Sequence, residues 1–345
     1  MLDSALPVGK LPRGLLADLI AWIAGGDGGG DPRVLVRPGI GLDCAVVDAG
    51  PNLLVLKSDP ITFATEEIGW YLVHVNANDV AAFGATPRWL MVTMLLPESH
   101  TTPALAERIA RQIHAACREV GATVIGGHTE ITGGLGRPIL AGTMIGEVSR
   151  DRLITPAGAR PGQRILLTKG VPIEATAILA RDFPDRLRNV LSESELKRAQ
   201  GFLRDPGISV LRDAQAALRA GAVSAMHDPT EGGLLAALWE LSKACSFGME
   251  VDLAAVPVPP LAERVCRVFG LDPLASIASG ALLLTAPSSD AAAIRRSLEA
   301  EGIPCAEIGC VMDVQPGVWA VTPKGRAPLP WPEQDELARL LGKAE

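Results

Sequence analysis

No two cysteines in this 345-residue chain are spaced C-x-x-C; Cys44, Cys117, Cys245, Cys266, Cys305 and Cys310 are scattered. A zinc site needs closely spaced soft ligands and a disulfide scaffold needs a short secreted chain, so the six read as small apolar residues. A long uncharged hydrophobic run is also missing. The stretch from Leu15 to Ala24 is broken by Asp18 and followed by glycines, which argues against a bilayer span. The N-terminus has no basic segment leading into an apolar stretch and cleavage site, so a cytoplasmic protein without a secretory signal is expected. Nor is there a basic cluster. With 32 Lys and Arg against 39 Asp and Glu, the net charge is −7, and non-specific nucleic-acid binding is excluded. The strings G-x-x-x-x-G-K-[ST], G-x-G-x-x-G and G-x-S-x-G are absent, which removes a Walker loop, a dinucleotide-binding Rossmann unit and a serine nucleophile elbow.

What is present is the composition of a folded chain, 48% hydrophobic with 36 glycines and 27 prolines, long enough for about two domains. A loop of Gly25, Gly26, Gly28, Gly29 and Gly30 precedes short β-type runs at 34–36, 45–47 and 53–56. The segment Ile68 to Phe83 is apolar all round and predicts a buried helix. Trp89 to Leu96 predicts a strand. Pro103 to Val120 is amphipathic, with Ile109, Ile113, Ala116 and Val120 on one stripe. Strands are expected at 123–125 and 139–145. The Pro/Gly-rich stretch 155–162 marks a domain boundary. Beyond it, strands at 165–167, 250–253, 281–285 and 305–311 alternate with helices at 173–180, 208–220, 234–244, 261–269 and 291–300. The charge-rich stretch 181–204 reads as a surface excursion. The grammar is α/β (or α+β) in two domains, 1–155 and 156–322, with a tail at 323–345.

Isolated acids recur beside glycine loops or apolar sequence. Gly39-Ile40-Gly41-Leu42-Asp43 could bring backbone N–H groups to an oxyanion and a carboxylate to Mg²⁺, or be a glycine turn feeding a strand. Asp59, before Pro60, stands at a strand end or in a turn. Asp79, beside Asn78, interrupts an apolar helix, where a carboxylate needs a structural partner or a metal or phosphate site. Gly126-Gly127-His128-Thr129-Glu130 follows a strand; the glycines permit a tight turn, and His128 is either a general acid/base or a structural hydrogen-bonder. Asp228, in His227-Asp228-Pro229-Thr230-Glu231-Gly232-Gly233, fits an N-cap with Pro229 at N1, and also fits an Mg²⁺–phosphate site at a helix start. Residue by residue, the reading reaches an acid-rich Mg²⁺/phosphate cleft.

In order, these strings resemble the aminoimidazole-ribonucleotide synthetase (PurM-like) superfamily, and the HypE-like branch of AIR-synthase-related proteins in particular. The matching set is Gly39 to Val46, Lys57-Ser58-Asp59, Asn78 to Pro87, Gly126 to Glu130, Asp228 to Gly233 and Ser279 to Leu283. The resemblance implies a two-domain chain whose N-terminal mixed sheet pairs with a second copy in a barrel-like homodimer core. It also implies ATP with Mg²⁺ held by Asp43, Asp59, Asp79 and Asp228. Gly39, Gly41, Asp43, Asn78, Gly126, Gly127 and Thr129 would meet the nucleotide, with His128 and Glu130 as catalytic groups. The implied reaction phosphorylates an oxygen of a small molecule or protein amide. A kinase of the thiamine-monophosphate type or a non-catalytic nucleotide-binding maturation partner is the alternative. Two departures stand out. Leu42 replaces the first of two consecutive acids found in many members. The last cysteine is Cys310, so the terminal cysteine that in HypE receives a carbamoyl group and is dehydrated to a thiocyanate has no counterpart, and carbamoyl-dehydratase activity is not expected here.

Overall fold

The computed structural model describes residues 6, 9–24, 31–62, 66–323 and 325–342. Backbone contacts gather the chain into two units. Of the described residues, the first holds 31–38, 43–62 and 66–153; the second holds residues 6 and 9–24, with helix α1 (Arg13–Ile23), residues 39–42 and those from Ile154 onward. Gly39 and Gly41 therefore belong to the second unit and Asp43 to the first. The glycine-rich loop 25–30 lies outside the described residues. No described helix is long and apolar enough to cross a membrane.

The first unit is a six-stranded mixed sheet with two helices. Its strands are β1 (Val34–Val36), β2 (Ala45–Asp48), β3 (Leu53–Ile61), β4 (Thr86–Pro97), β5 (Thr123–Thr132) and β6 (Ile139–Val148), in spatial order β1-β2-β3-β6-β4-β5. Only the β4–β5 pairing is parallel within it. Helix α2 (Ile68–Ala82) is buried at every position but Val75. Helix α3 (Pro103–Val120) has the bounds its stripe predicts. Thr102 Oγ1 accepts from the Leu105 N–H at its start, and Gly121, at φ +77°, ends it.

Two strands run further than their sequences suggest. β3 continues through Lys57-Ser58-Asp59-Pro60, because β6 pairs with it as far as Ile61. β5 continues through Gly126 to Thr132 instead of turning. A Cβ at Gly127 would lie 1.8 Å from the Val92 carbonyl oxygen, so the glycine (φ +146°) lets the strand pass β4 with a bulge.

The second unit is a seven-stranded sheet in the order β13-β12-β9-β11-β7-β10-β8. In chain order its elements are β7 (Arg164–Thr168), α4 (Ile173–Asp182), α5 (Pro184–Leu187), α6 (Glu193–Gln200), α7 (Leu211–Ala220), β8 (Ala225–His227), α8 (Gly233–Cys245), β9 (Gly248–Val251), α9 (Pro260–Phe269), β10 (Leu283–Ala286), α10 (Ser288–Ala300), β11 (Cys305–Met312), β12 (Gly317–Thr322), β13 (Gly325–Pro328) and α11 (Glu336–Leu341). β10 is buried at all four residues, as a strand covered on both faces must be. The core is built from Ile165, Leu167, Leu238, Leu241, Met249, Val251 and Leu283. The stretch 181–204 is no mere surface excursion: its charges flank the buried Leu187, Leu191, Leu196, Phe202 and Leu203. Residues 323–345, read as a tail, contribute β13 and α11.

Candidate functional site

Side chains alternate along β3, so Lys57 and Asp59 share one face, the one that α2 covers. Lys57 Nζ lies 3.2 Å from Asp59 Oδ2, 3.3 Å from Asp79 Oδ2 on α2, and 3.9 Å from Asp43 Oδ1 just before β2. Three of the acids singled out in the sequence thus converge on one ammonium. Asp79 is nearly inaccessible, its side chain 3% exposed, whereas Asp43 and Asp59 are 27% and 35% exposed. Burial works to depress the Lys57 pKa, but the charges of Asp79, Asp43 and Asp59 outweigh it and hold the pKa well above the ordinary lysine value. Lys57 is a permanent cation here.

Asn76 fixes one member of this group. Its Oδ1 accepts from the Asp59 N–H (3.0 Å), and its Nδ2 donates to the carbonyls of Asp59 (3.3 Å) and Leu72 (2.9 Å). The clamp ties β3 to α2 where the carboxylates meet. Lys57 and Asn76 were not singled out as functional in the sequence. The i, i+2 spacing of Lys57 and Asp59 on a strand is the signal for the first; nothing local announces the second. Asn78, beside Asp79, is fully buried.

Among the described residues no three His, Cys, Asp or Glu side chains form a group that would hold a metal ion by themselves. The three aspartates surround the lysine at ammonium distances instead. Their chemistry nonetheless suits a hard divalent cation, because all three offer carboxylate oxygens to one point.

The second glycine motif lies elsewhere in the first unit. Asp59 pairs with Gly142, Gly142 with Val92, and Val92 with Gly127, so Asp59 and Gly127 share a row three strand spacings, about 14 Å, apart. Gly126, Gly127, His128 and Thr129 line a cavity of about 690 Å³, together with Ile113, His114 and Cys117 of α3. His128 Nε2 and Glu130 Oε2 are 3.2 Å apart on the exposed edge strand. Glu130 also accepts from Thr132 Oγ1 (2.9 Å), and the bonds from Thr132 and His128 hold its carboxyl below the ordinary glutamate value.

In the second unit Gly41 (φ +76°) is a packing glycine: a Cβ there would lie 2.5 Å from the Glu240 carbonyl oxygen of α8. Gly39 forms a bridge with Leu42. Asp228 is buried after β8, but it is not an N-cap. Gly232 and Gly233, at φ +87° and +63°, add a turn before α8, and Gly232 takes the cap position. The Gly232 N–H donates to Asp335 Oδ2 (2.8 Å), whose carboxylate also caps α11 through the Leu337 N–H. Burial pushes the Asp335 pKa up to about 6. Glu174, near the start of α4, is likewise raised, to about 7, by burial. Its Oε2 has no hydrogen-bond partner among the described residues. The sequence gives no hint of Glu174, whose neighbours come from distant segments.

Two family models match, the N-terminal domain of AIR synthase related proteins at residues 41–148 and the C-terminal domain at residues 160–319. A carbamoyl dehydratase HypE of Azotobacter vinelandii is 30% identical over 86% of this chain and 87% of its own length. The chain belongs to the AIR synthase related family. A HypE of Cupriavidus necator is 34% identical over 68% of this chain, and that alignment spans 64% of the relative. Among solved structures, a hydrogenase maturation protein HypE in complex with ATP superposes with a TM-score of 0.69 at 25% identity, covering 96% of this chain and 97% of that one. A ThiL complexed with AMPPCP and TMP shares the fold (TM-score 0.70, 20% identity, 92% of this chain and 96% of that one). The two-domain PurM-like fold expected from the motifs is thereby established for this AIR synthase related chain.

Proposed function

We propose that this AIR synthase related protein binds ATP with Mg²⁺ and uses it to phosphorylate an oxygen of a small molecule or a protein amide. The observation that carries this reading is the convergence of Asp43, Asp59 and Asp79 on one buried cation. The ATP-bound HypE relative supports the choice of nucleotide. In this reading the three aspartates of the first unit would hold Mg²⁺, which when bound would supply charge neutralisation at the phosphates. Asp79 is fixed in a buried helix, so its carboxylate is positioned in advance, while Asn76 clamps only the Asp59 backbone and leaves that carboxylate able to adjust. Gly126, Gly127 and Thr129 offer backbone and hydroxyl groups along the strand, and the His128–Glu130 pair handles the proton of the attacking oxygen. Asn78 completes the proposed nucleotide contacts of the first unit. We assign no membrane or nucleic-acid partner and place the protein in the cytoplasm as a homodimer.

Calorimetric titration with ATP tests this. Binding is expected with Mg²⁺ and is expected to be lost in EDTA. Asp79→Asn should abolish the Mg²⁺-dependent component while leaving the circular dichroism spectrum unchanged. Normal binding by Asp79→Asn, combined with easier unfolding, would make Asp79 a structural acid. Incubation with ATP and candidate metabolites, read by mass spectrometry, separates a stable phosphorylated product from a dehydrated one.

A further inference from the structure

We propose that Lys57 is a built-in counter-ion, which occupies the divalent-cation position among Asp43, Asp59 and Asp79 and must leave it when the metal enters. The inference rests on the Mg²⁺ reading above and assigns a role to a residue outside the proposed ligand set. One ammonium lies 3.2, 3.3 and 3.9 Å from three carboxylates, with its side chain only 11% exposed. Carboxylates this close repel one another unless a cation stands between them. Mg²⁺ draws oxygens in to about 2.0–2.1 Å, roughly 1–2 Å inside the ammonium contacts seen here, so the same oxygens cannot serve both cations at once.

The mobility of the parts agrees with an exchange. Asp79 is held in the buried helix, whereas Asp43 and Asp59 keep 27% and 35% exposure and can close on an ion arriving from solvent. Lysine is a point charge on a flexible four-carbon stem, so Nζ can swing away without moving the β3 backbone. Once displaced, it is placed to meet the phosphates that arrive with the metal, as a lysine does in other phosphate sites. Mg²⁺ alone must compete with Lys57; Mg²⁺ carried by a polyphosphate brings the lysine a new partner. Free Mg²⁺ should therefore bind far more weakly than Mg²⁺ with nucleotide.

The test uses the full chain and MgCl₂ without nucleotide, followed by calorimetry and by thermal unfolding in EDTA and in excess Mg²⁺. The native protein should show weak Mg²⁺ binding and little change in Tm. Lys57→Met should melt lower in EDTA, recover in Mg²⁺, and bind Mg²⁺ at least about tenfold more tightly. Lys57→Arg, which keeps the charge, should stay weak. Should Lys57→Met not fold, Lys57→Met with Asp59→Asn, compared with Asp59→Asn alone, carries the same affinity test with less repulsion. An unchanged Mg²⁺ affinity on loss of the lysine, with no recovery of Tm, overturns the counter-ion role. The two readings fail separately. Tighter Mg²⁺ binding by Lys57→Met in a chain that never binds ATP would uphold this inference and sink the ATP reading; normal Mg²⁺-dependent ATP binding with unchanged Lys57→Met affinity would do the reverse.

Discussion

Glu174 shows how a single buried carboxyl can set the pH response of a unit. Its folded pKa is about 7 against an ordinary 4.5, raised first by burial and further by the charges of Asp335 and Asp228. Bonds from Ser279 work in the opposite direction. A carboxyl raised in this way favours the folded state most below the unfolded pKa, when it is protonated in both states. That contribution is lost as pH climbs from 4.5 through 7, and the difference of 2.5 units amounts to about 3 kcal/mol. Glu174→Gln keeps an acceptor for Ser279 and removes the charge. Urea unfolding at a series of pH values should show native stability falling between pH 5 and 8, and a flatter profile with higher stability at pH 8 for Glu174→Gln. Parallel profiles for the two proteins would mean that Glu174 titrates normally. Asp335 adds a second decline in the same direction, from 3.8 to about 6, which should survive in the variant.

Among the elements, one carboxylate joins the C-terminal helix to the turn before α8. The Asp335 carboxylate caps α11 through the N–H groups of Leu337 (2.8 Å) and Ala338 (3.3 Å), and it also receives the Gly232 N–H (2.8 Å). A six-residue helix has too few internal bonds to persist alone, so this cap and the burial of Leu337 and Ala338 must keep it in place. Asp335→Ala should cost about 2 kcal/mol in a two-state urea titration, from the lost cap and the unsatisfied N–H groups. Exchange of the Leu337 and Ala338 amides should accelerate; unchanged protection there would show that packing alone holds the helix. How legible such elements are in sequence depends on where their partners lie. The α3 bounds were readable because stripe, Thr102 and Gly121 are local signals that agree. β3 looked finished at Leu56 because Lys57, Ser58 and Asp59 are polar, yet Lys57 and Asp59 face α2 as each other's counter-charge. The Gly126-Gly127 pair looked like a turn because only the neighbouring strand reveals the approach of the Val92 carbonyl. The acids of the candidate site were visible as misfits in apolar sequence. The lysine they share was not, since it makes sense only once α2 lies over β3.

At the scale of the whole molecule, the first unit's sheet has one face and one edge that a lone chain leaves open. Leu90, Val92 and Leu96 of β4 are buried, but Met91 is 45% exposed, and Trp89 and Leu95 are only partly covered. Leu54 and Leu56 of β3 and Ile139 and Ile145 of β6 are half-buried in the same alternating pattern. β5, ten residues long, ends the sheet with Val124, Ile125 and Ile131 exposed. A long apolar edge beside an apolar face invites uncontrolled strand pairing unless it is covered. A second copy offers the same strand and face, and a two-fold pairing would cover both at once. Light scattering at micromolar concentration should accordingly give twice the 36.1 kDa chain mass. Ile125→Lys with Ile131→Lys should shift the mass toward the monomer without altering the circular dichroism spectrum, because these side chains are exposed in the single chain. A native protein that is monomeric across this range would refute dimerisation through the first unit, and dimers that persist in the double variant would move the interface away from β5.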